Sequence, residues 1–273
     1  AAAAAGLMTE IRLYMFHGGI THLPLRNFTF GKGGGGEMIT TPTPYFVITH
    51  PRGNAIVDGG NPPEVAVDAA KHWGAITEMS TPVMTPEQAL LPSLERVGID
   101  PASIRWVVQT HLHLDHTGAV AVIDRLPNAE VLVTRTEHDF AHAPDPLARI
   151  SYVLADYAKP GVPWAILEDS EDGYDVYGDG TLIGWRSPGH SPGHMSFEVN
   201  LPSGATYLLC GDAANARDHW ENGALPGFMV SASDTARSLS RLKRLAWRRE
   251  AIVVTGHDPG LWDDFKQAPE FYS

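Results

Sequence analysis

Residues 111–116 read His-Leu-His-Leu-Asp-His, and no other stretch restricts the chain's fold and chemistry as tightly. Three imidazoles and a carboxylate arrive directly after the apolar run Ile104–Gln109, which predicts a short buried strand. In an extended or tightly turned segment, side chains 111 and 113 point the same way, and the following turn swings 115 and 116 toward a second centre. Three further candidates, His190, Asp212 and His257, stand where other predicted strands end. Neutral imidazole nitrogens and carboxylate oxygens suit zinc or another borderline divalent ion. Five histidines and two aspartates are too many for one tetrahedral site. They suit two adjacent ions, with one carboxylate bridging and positions open for water. Such a pair lowers the pKa of bound water and polarises a carbonyl or phosphoryl oxygen, so the expected chemistry is hydrolysis.

Composition narrows the setting. Thirteen histidines accompany 20 Lys and Arg in total, and 32 Asp and Glu leave a net charge of -12, which offers polyanions no electrostatic footprint. Nucleic acid is not an expected partner. The single cysteine, Cys210, cannot form an internal disulfide, and no run approaches the roughly 18 apolar residues that a bilayer-spanning helix needs. The expectation is a cytoplasmic enzyme without membrane contact, with a homodimer left open. The opening AAAAAGLM makes a poor signal peptide. Residues 1–7 are read as a tag or disordered tail, Met8 as the natural start, and 8–273 as one domain.

Along the chain, Ile11–Phe16 predicts a strand, and His17–Pro44, with its glycine run Gly33–Gly36, predicts a long flexible loop. Tyr45–His50 and Ala55–Asp58 predict a hairpin, Pro86–Val97 a helix starting at proline and stopping before Gly98. A second β/α unit is expected from Gly118–Arg125, Glu130–Thr134 and Arg135–His142, then a polar, proline-rich insert over 143–165. Thr181–Trp185, Met195–Leu201, Thr206–Cys210 and Ile252–Thr255 predict strands, and 234–249 a helix. Two mixed halves of this kind suggest sheets packed in the middle with helices outside.

HLHLDH, SPGH at 187–190, GD at 211–212 and GHD at 256–258 together resemble the metallo-β-lactamase superfamily. That resemblance implies an α+β four-layer αβ/βα sandwich with its metals at one rim. By motif, His111, His113 and His190 would hold the first metal and Asp115, His116 and His257 the second, with Asp212 bridging. A bridging hydroxide would be the nucleophile, and Asp115 the first candidate to orient it and to protonate the leaving alkoxide. The bridging aspartate speaks against true β-lactamases, and His113 with His116 against the di-iron flavoprotein branch. The double turn SPGHSPGH and the ending VTGHD are most similar to the N-acyl homoserine lactonases, quorum-quenching enzymes of small lactones. These commonly carry a tyrosine three residues after the bridging aspartate. Here that position is Asn215, whose amide donates a hydrogen bond but no phenol proton.

The implied function is opening of a small lactone ring, N-acyl homoserine lactone first, with two divalent ions per chain: zinc, or iron, manganese or cobalt. The alternatives are a thioester, phosphotriester or phosphodiester hydrolase of the same fold, a mononuclear iron dioxygenase, and a scaffold protein with a relic site. Among secondary residues, His194 is expected to support its turn rather than ligate, and Cys210 to be structural. Asp58 is read as either a turn cap or an orienter of a metal-binding histidine. The basic segment Arg237–Arg249 is read as a solvated helix packed through Leu239, Leu242 and Leu245. Phe28, Phe30, Tyr152, Tyr157, Trp164, Trp220, Phe228 and Met229 are the candidate pocket wall, two or three of them expected to line it.

Overall fold

The computed structural model describes residues 10–273; the expectations for 1–7 and Met8 lie outside the described residues. The first half comprises β1 (Arg12–Pro24), α1 (Leu25–Phe28), β2 (Met38–Thr49), β3 (Asn54–Val57), α2 (Val65–Trp73), β4 (Thr81–Val83), α3 (Leu90–Arg96), β5 (Ile104–Val108), α4 (Gly118–Ala121), β6 (Glu130–Thr134), α5 (Arg135–His142), α6 (Leu154–Tyr157) and β7 (Trp164–Leu167). The second comprises β8 (Tyr174–Asp175), β9 (Leu182–Arg186), β10 (Met195–Asn200), β11 (Thr206–Leu209), α7 (Arg217–Asn222), α8 (Ala232–Arg249), β12 (Ile252–Val254) and α9 (Leu261–Asp264).

Strand alternation builds the layers. The first sheet has the order β4-β1-β2-β3-β5-β6-β7 and the second β12-β11-β10-β9-β8. Leu13, Met15, Val57 and Val108 face Phe197, Val199, Leu209 and Val254 of the second sheet in one buried core. The intervening residues Tyr14, Phe16, Ile56 and Val107 point the opposite way, into a core completed by Leu94 of α3, Val120 of α4 and Ala141 of α5. On the outer face of the second sheet, Leu208 and Cys210 pack against Leu239, Leu242 and Ala246 of α8. The result is the expected αβ/βα sandwich, with a helix layer outside each sheet.

The predicted loop over 17–44 is mostly strand. β1 and β2 pair antiparallel from Arg12–Thr49 to Pro24–Met38, with a register shift between His17 and Ile20 at the Gly18-Gly19 pair. Pro42 and Pro44 read as breakers, yet β3 pairs only with Phe46–Ile48. Before Phe46, β2 has β1 as its sole neighbour among the described residues, so prolines there sit on a free edge. The predicted helix over 86–97 is divided: a 3-10 turn at Pro86–Gln88 is separated from α3 by Ala89, which is extended. The insert over 143–165 holds α6 and leads into the edge strand β7.

Candidate metal centre

Each candidate ligand emerges where a strand ends. β5 lies between β3 and β6 in parallel register, and its extension delivers Thr110 and His111. Met195 N donates to Thr110 O at 2.8 Å, tying this strand end to the second sheet. In the loop that follows, Leu112 and Leu114 bury their side chains in two different apolar clusters, and His116 N donates to His113 O to close a turn. His190 comes from the β9–β10 connection, Asp212 from the single 3-10 turn Gly211–Ala213 after β11, and His257 from the segment after β12.

The seven side chains converge. Ligand-capable atoms of His111, His113 and His190 lie within 4.8 Å of one another, as do those of His111, His116 and Asp212, and of Asp115, His116 and His257. Asp212 stands between the groups: Oδ2 is 3.2 Å from His190 Nε2, and Oδ1 is 3.2 Å from His257 Nε2 and 3.3 Å from His116 Nε2. Asp115 lies 3.7 Å from both His116 Nε2 and His257 Nε2. The seven residues that the motifs singled out are thus brought together, with the carboxylate of Asp212 near histidines of both implied sets and His111 grouping with His116 as well as with His113 and His190.

Hydrogen bonds at the other ring nitrogen aim the imidazoles. His190 Nδ1 donates to Phe228 O and His257 Nδ1 to Pro42 O, both at 2.8 Å. His116 Nδ1 donates to Asp58 Oδ2 at 2.8 Å, and His111 Nδ1 to Thr110 Oγ1 at 2.9 Å, which itself donates to Asp58 Oδ2. All four therefore turn Nε2 toward the centre, where His190 Nε2 lies 2.9 Å from His113 Nδ1. Asp58 is held by a turn with φ of 64° at Asp58, 98° at Gly59 and 70° at Gly60. Gly118 abuts it so closely that an added Cβ would fall 2.3 Å from Gly59 O. The orienting role weighed for Asp58 is the one the geometry supports. His194 accepts from Asp212 N through Nε2 at 3.0 Å and donates to Ser187 Oγ through Nδ1 at 2.8 Å, so it braces the bridging residue and has no free nitrogen to ligate.

The donor set fits a pair of divalent cations. His111 Nε2, His116 Nε2 and Asp212 Oδ1 are buried without a hydrogen-bond partner among the described residues, a condition that costs about 1–3 kcal/mol per atom unless another species binds. Burial pushes the His111, His113 and His190 imidazoles down, toward the neutral form that coordinates metal. At His116 burial acts the same way but is outweighed by Asp115, Asp212 and Asp58, which raise it well above the usual histidine range. His257, despite burial, is raised to about 9 by Asp212. The field that holds a proton at these nitrogens equally attracts a cation.

A cleft opens over this centre, lined by His113, Asp115, His190, Asp212 and His257 at its foot and by Leu23, Phe28, Trp73, Ile76, Leu114 and Phe228 on its walls. Phe28 and Phe228 are thus the two named wall candidates that line it. Tyr152 instead stacks edge-on against His113, Tyr157 is core, and Phe30 is exposed. Asn215 faces the cleft and is 7% exposed; its N–H donates to His219 Nδ1, and its carbonyl accepts from His257 N.

Three supporting residues escape sequence reasoning. Glu137 is fully buried; Oε1 accepts from Leu112 N and Tyr152 OH, and Oε2 from Ser191 Oγ and Gly193 N. It fastens the HLHLDH loop to the SPGHSPGH loop, yet in sequence it reads only as the third residue of a helix capped by Thr134. Asp156 accepts from Thr117 Oγ1 and pairs with His72 Nε2, both at 2.8 Å. Trp73 walls the cleft from α2, where it follows Val65 and Ala69 at four-residue steps in one apolar cluster, a spacing that reads in sequence as core.

The sequence profile of the metallo-beta-lactamase superfamily matches residues 39–257. An N-acyl homoserine lactonase of Agrobacterium fabrum, AttM, is 47% identical over 97% of this chain and 100% of its own length. The chain belongs to the metallo-beta-lactamase superfamily and, within it, to the N-acyl homoserine lactonase family. A more distant member, the N-acyl homoserine lactonase AiiA of Bacillus thuringiensis subsp. kurstaki, is 27% identical over 86% of this chain and 89% of its own. The solved structure of an N-acyl homoserine lactone hydrolase, with N-hexanoyl-L-homoserine at its catalytic metal center, superposes with a TM-score of 0.84 at 24% identity, covering 97% of this chain and 100% of that one. That likeness establishes the metallo-beta-lactamase fold. Among the described residues, no helix is long and apolar enough to cross a membrane.

Proposed function

We propose that this chain is a metal-dependent hydrolase that opens the lactone ring of N-acyl homoserine lactones. His111, His113 and His190 would hold one divalent ion and Asp115, His116 and His257 the other, with Asp212 available to both. The observation that carries the reading is the convergence of these seven side chains at the foot of a cleft with an apolar wall. The 47% identity to AttM supports the substrate class. Zinc is the proposed metal, on the histidine-rich donor set, and the cytoplasm the proposed location, on the lone buried cysteine.

When bound, the ions supply activation of a water nucleophile and polarisation of the ring carbonyl. The chain's own residues do the rest. Leu23, Phe28 and Phe228 exclude water and receive the acyl chain. Asn215 Nδ2 presents N–H groups to the oxyanion, where the family tyrosine would otherwise stand. Asp115, with its side chain 24% exposed, is the most accessible carboxylate of the set and the acid placed to hand a proton to the departing alkoxide.

The test is a pH-indicator hydrolysis screen over lactones, thioesters and phosphoesters, with metal content measured on the same sample. Metal-dependent turnover led by acyl homoserine lactones is expected. Preferred turnover of a thioester or phosphoester would replace the reading, and full activity in metal-free protein would end it.

A further inference from the structure

His219 is fully buried at the third position of α7, and two of its neighbours line the cleft: Asn215 and Phe28. Its Nδ1 accepts from Asn215 N at 3.2 Å, so the ring proton sits on Nε2, which donates to Thr29 Oγ1 at 3.0 Å. Burial pushes the imidazole down to about 4, so the ring stays neutral and keeps one acceptor and one donor. Its ring lies 5.4 Å from that of Phe28, tilted by 33°. A buried imidazole is costly unless both nitrogens are satisfied. Here the two partners belong to the two segments that frame the cleft.

Each segment is also held from its other side. The carbonyl of Asn215 accepts from His257 N at 2.7 Å, which places its main chain between His219 and a proposed ligand. Gly227 N donates to Phe28 O at 3.0 Å and Phe30 N to Leu225 O at 2.9 Å. An added Cβ on Gly227 would fall 2.2 Å from Asn27 O, so the two strips of backbone are in close contact. Those bonds fix the path of the main chain. The direction of the Phe28 ring is set by the side chains packed on it, Leu23, Ala216 and His219.

We infer that His219 is a positioning residue with two separable tasks: Nδ1 fixes the main chain from which Asn215 presents its amide to the oxyanion, while Nε2 and the ring face fix Thr29 and Phe28 against the acyl group. The inference rests on the lactonase reading and on the part of Asn215 within it. Asparagine can place an amide oxygen where Nδ1 stands, and glutamine an amide nitrogen where Nε2 stands, and each lacks the other's contact. The two substitutions therefore take the tasks apart.

The experiment measures kcat and KM for an N-acyl homoserine lactone with wild type, His219→Gln, His219→Asn and Thr29→Val, with bound metal and melting temperature recorded for each. His219→Gln leaves Asn215 N without its acceptor and is expected to lower kcat by about 10- to 100-fold at nearly constant KM. His219→Asn releases Thr29 and Phe28 and is expected to raise KM by about 10-fold at nearly constant kcat. Thr29→Val, which leaves α7 untouched, should raise KM in the same way. A histidine that only stabilised the fold would lower the melting temperature of both variants without sorting their kinetic constants. The inference is overturned if the two His219 variants shift kcat and KM alike, or if Thr29→Val leaves KM unchanged, a result that holds even where a His219 variant does not fold. If wild type opens no acyl homoserine lactone, the lactonase reading itself has failed, and full kcat in Asn215→Ala would overturn the oxyanion role instead.

Discussion

Asp58 shows how much a single buried carboxylate does here. Its Oδ1 accepts from Thr110 N at 2.7 Å, and its Oδ2 takes protons from Thr110 Oγ1 and His116 Nδ1. Asp58→Asn keeps the volume but replaces an acceptor with a donor facing two donors, so one ion should bind about 10- to 100-fold more weakly, read by chelator competition. An unchanged affinity would remove Asp58 from the metal argument. Asn215→Ala should leave two ions bound and lower kcat by roughly 100-fold, the cost of one oxyanion donor. Loss of metal in that variant would instead assign Asn215 a structural part through His257. HLHLDH made the ligands legible because four donor side chains fall within six residues. Asp58 was half legible: its place at a strand end was visible, while its partner 58 residues away was not.

At the scale of elements, two buried carboxylates join segments that the sequence keeps apart. Removing Glu137 as Glu137→Ala strands Leu112 N, Gly193 N, Ser191 Oγ and Tyr152 OH, and should cost about 2–4 kcal/mol in urea unfolding. A change below about 0.5 kcal/mol would mean that water replaces the carboxylate at no loss. The pair between His72 and Asp156 docks α2 on α6. The Asp156 hydrogen bond raises the His72 imidazole above its ordinary 6.5 against partial burial, with Asp156 and Glu64 as the charges that act on it. A histidine raised on folding contributes stability that is complete below 6.5 and is lost as pH rises through the folded value. The melting-temperature gap between wild type and His72→Gln should therefore be widest near pH 6 and narrow in alkaline buffer; a gap constant with pH would contradict the ion pair. The β1–β2 ribbon was illegible for a different reason. Gly18, Gly19, Pro42 and Pro44 are loop signals locally; the glycines fall at the register shift of β1, and the prolines are acceptable because no third strand among the described residues lies beside that part of β2.

For the whole molecule, the proposed ligands come from both sheets: His111, His113, Asp115 and His116 from the end of β5, and Asp212 and His257 from the ends of β11 and β12. Ions held between them bind the folded chain and not the unfolded one, so they stabilise the sandwich by mass action. Dialysis against a chelator should lower the melting temperature by about 10 °C for ions present near a thousand times their Kd, and two equivalents of metal should restore it. Restoration by a single equivalent would argue for a mononuclear site. The sequence by itself determined the candidate ligand set, the order of its motifs and the layered sheets, because chelating residues beside strand ends and two-residue alternation are local patterns. Only the tertiary structure decided which buried groups serve that set. Glu137 meets Ser191 across 54 residues, Asp156 meets His72 across 84, and His219 meets Thr29 across 190. Such partners are chosen by sheet order and helix docking, which place distant chain segments side by side, and no local spacing records them.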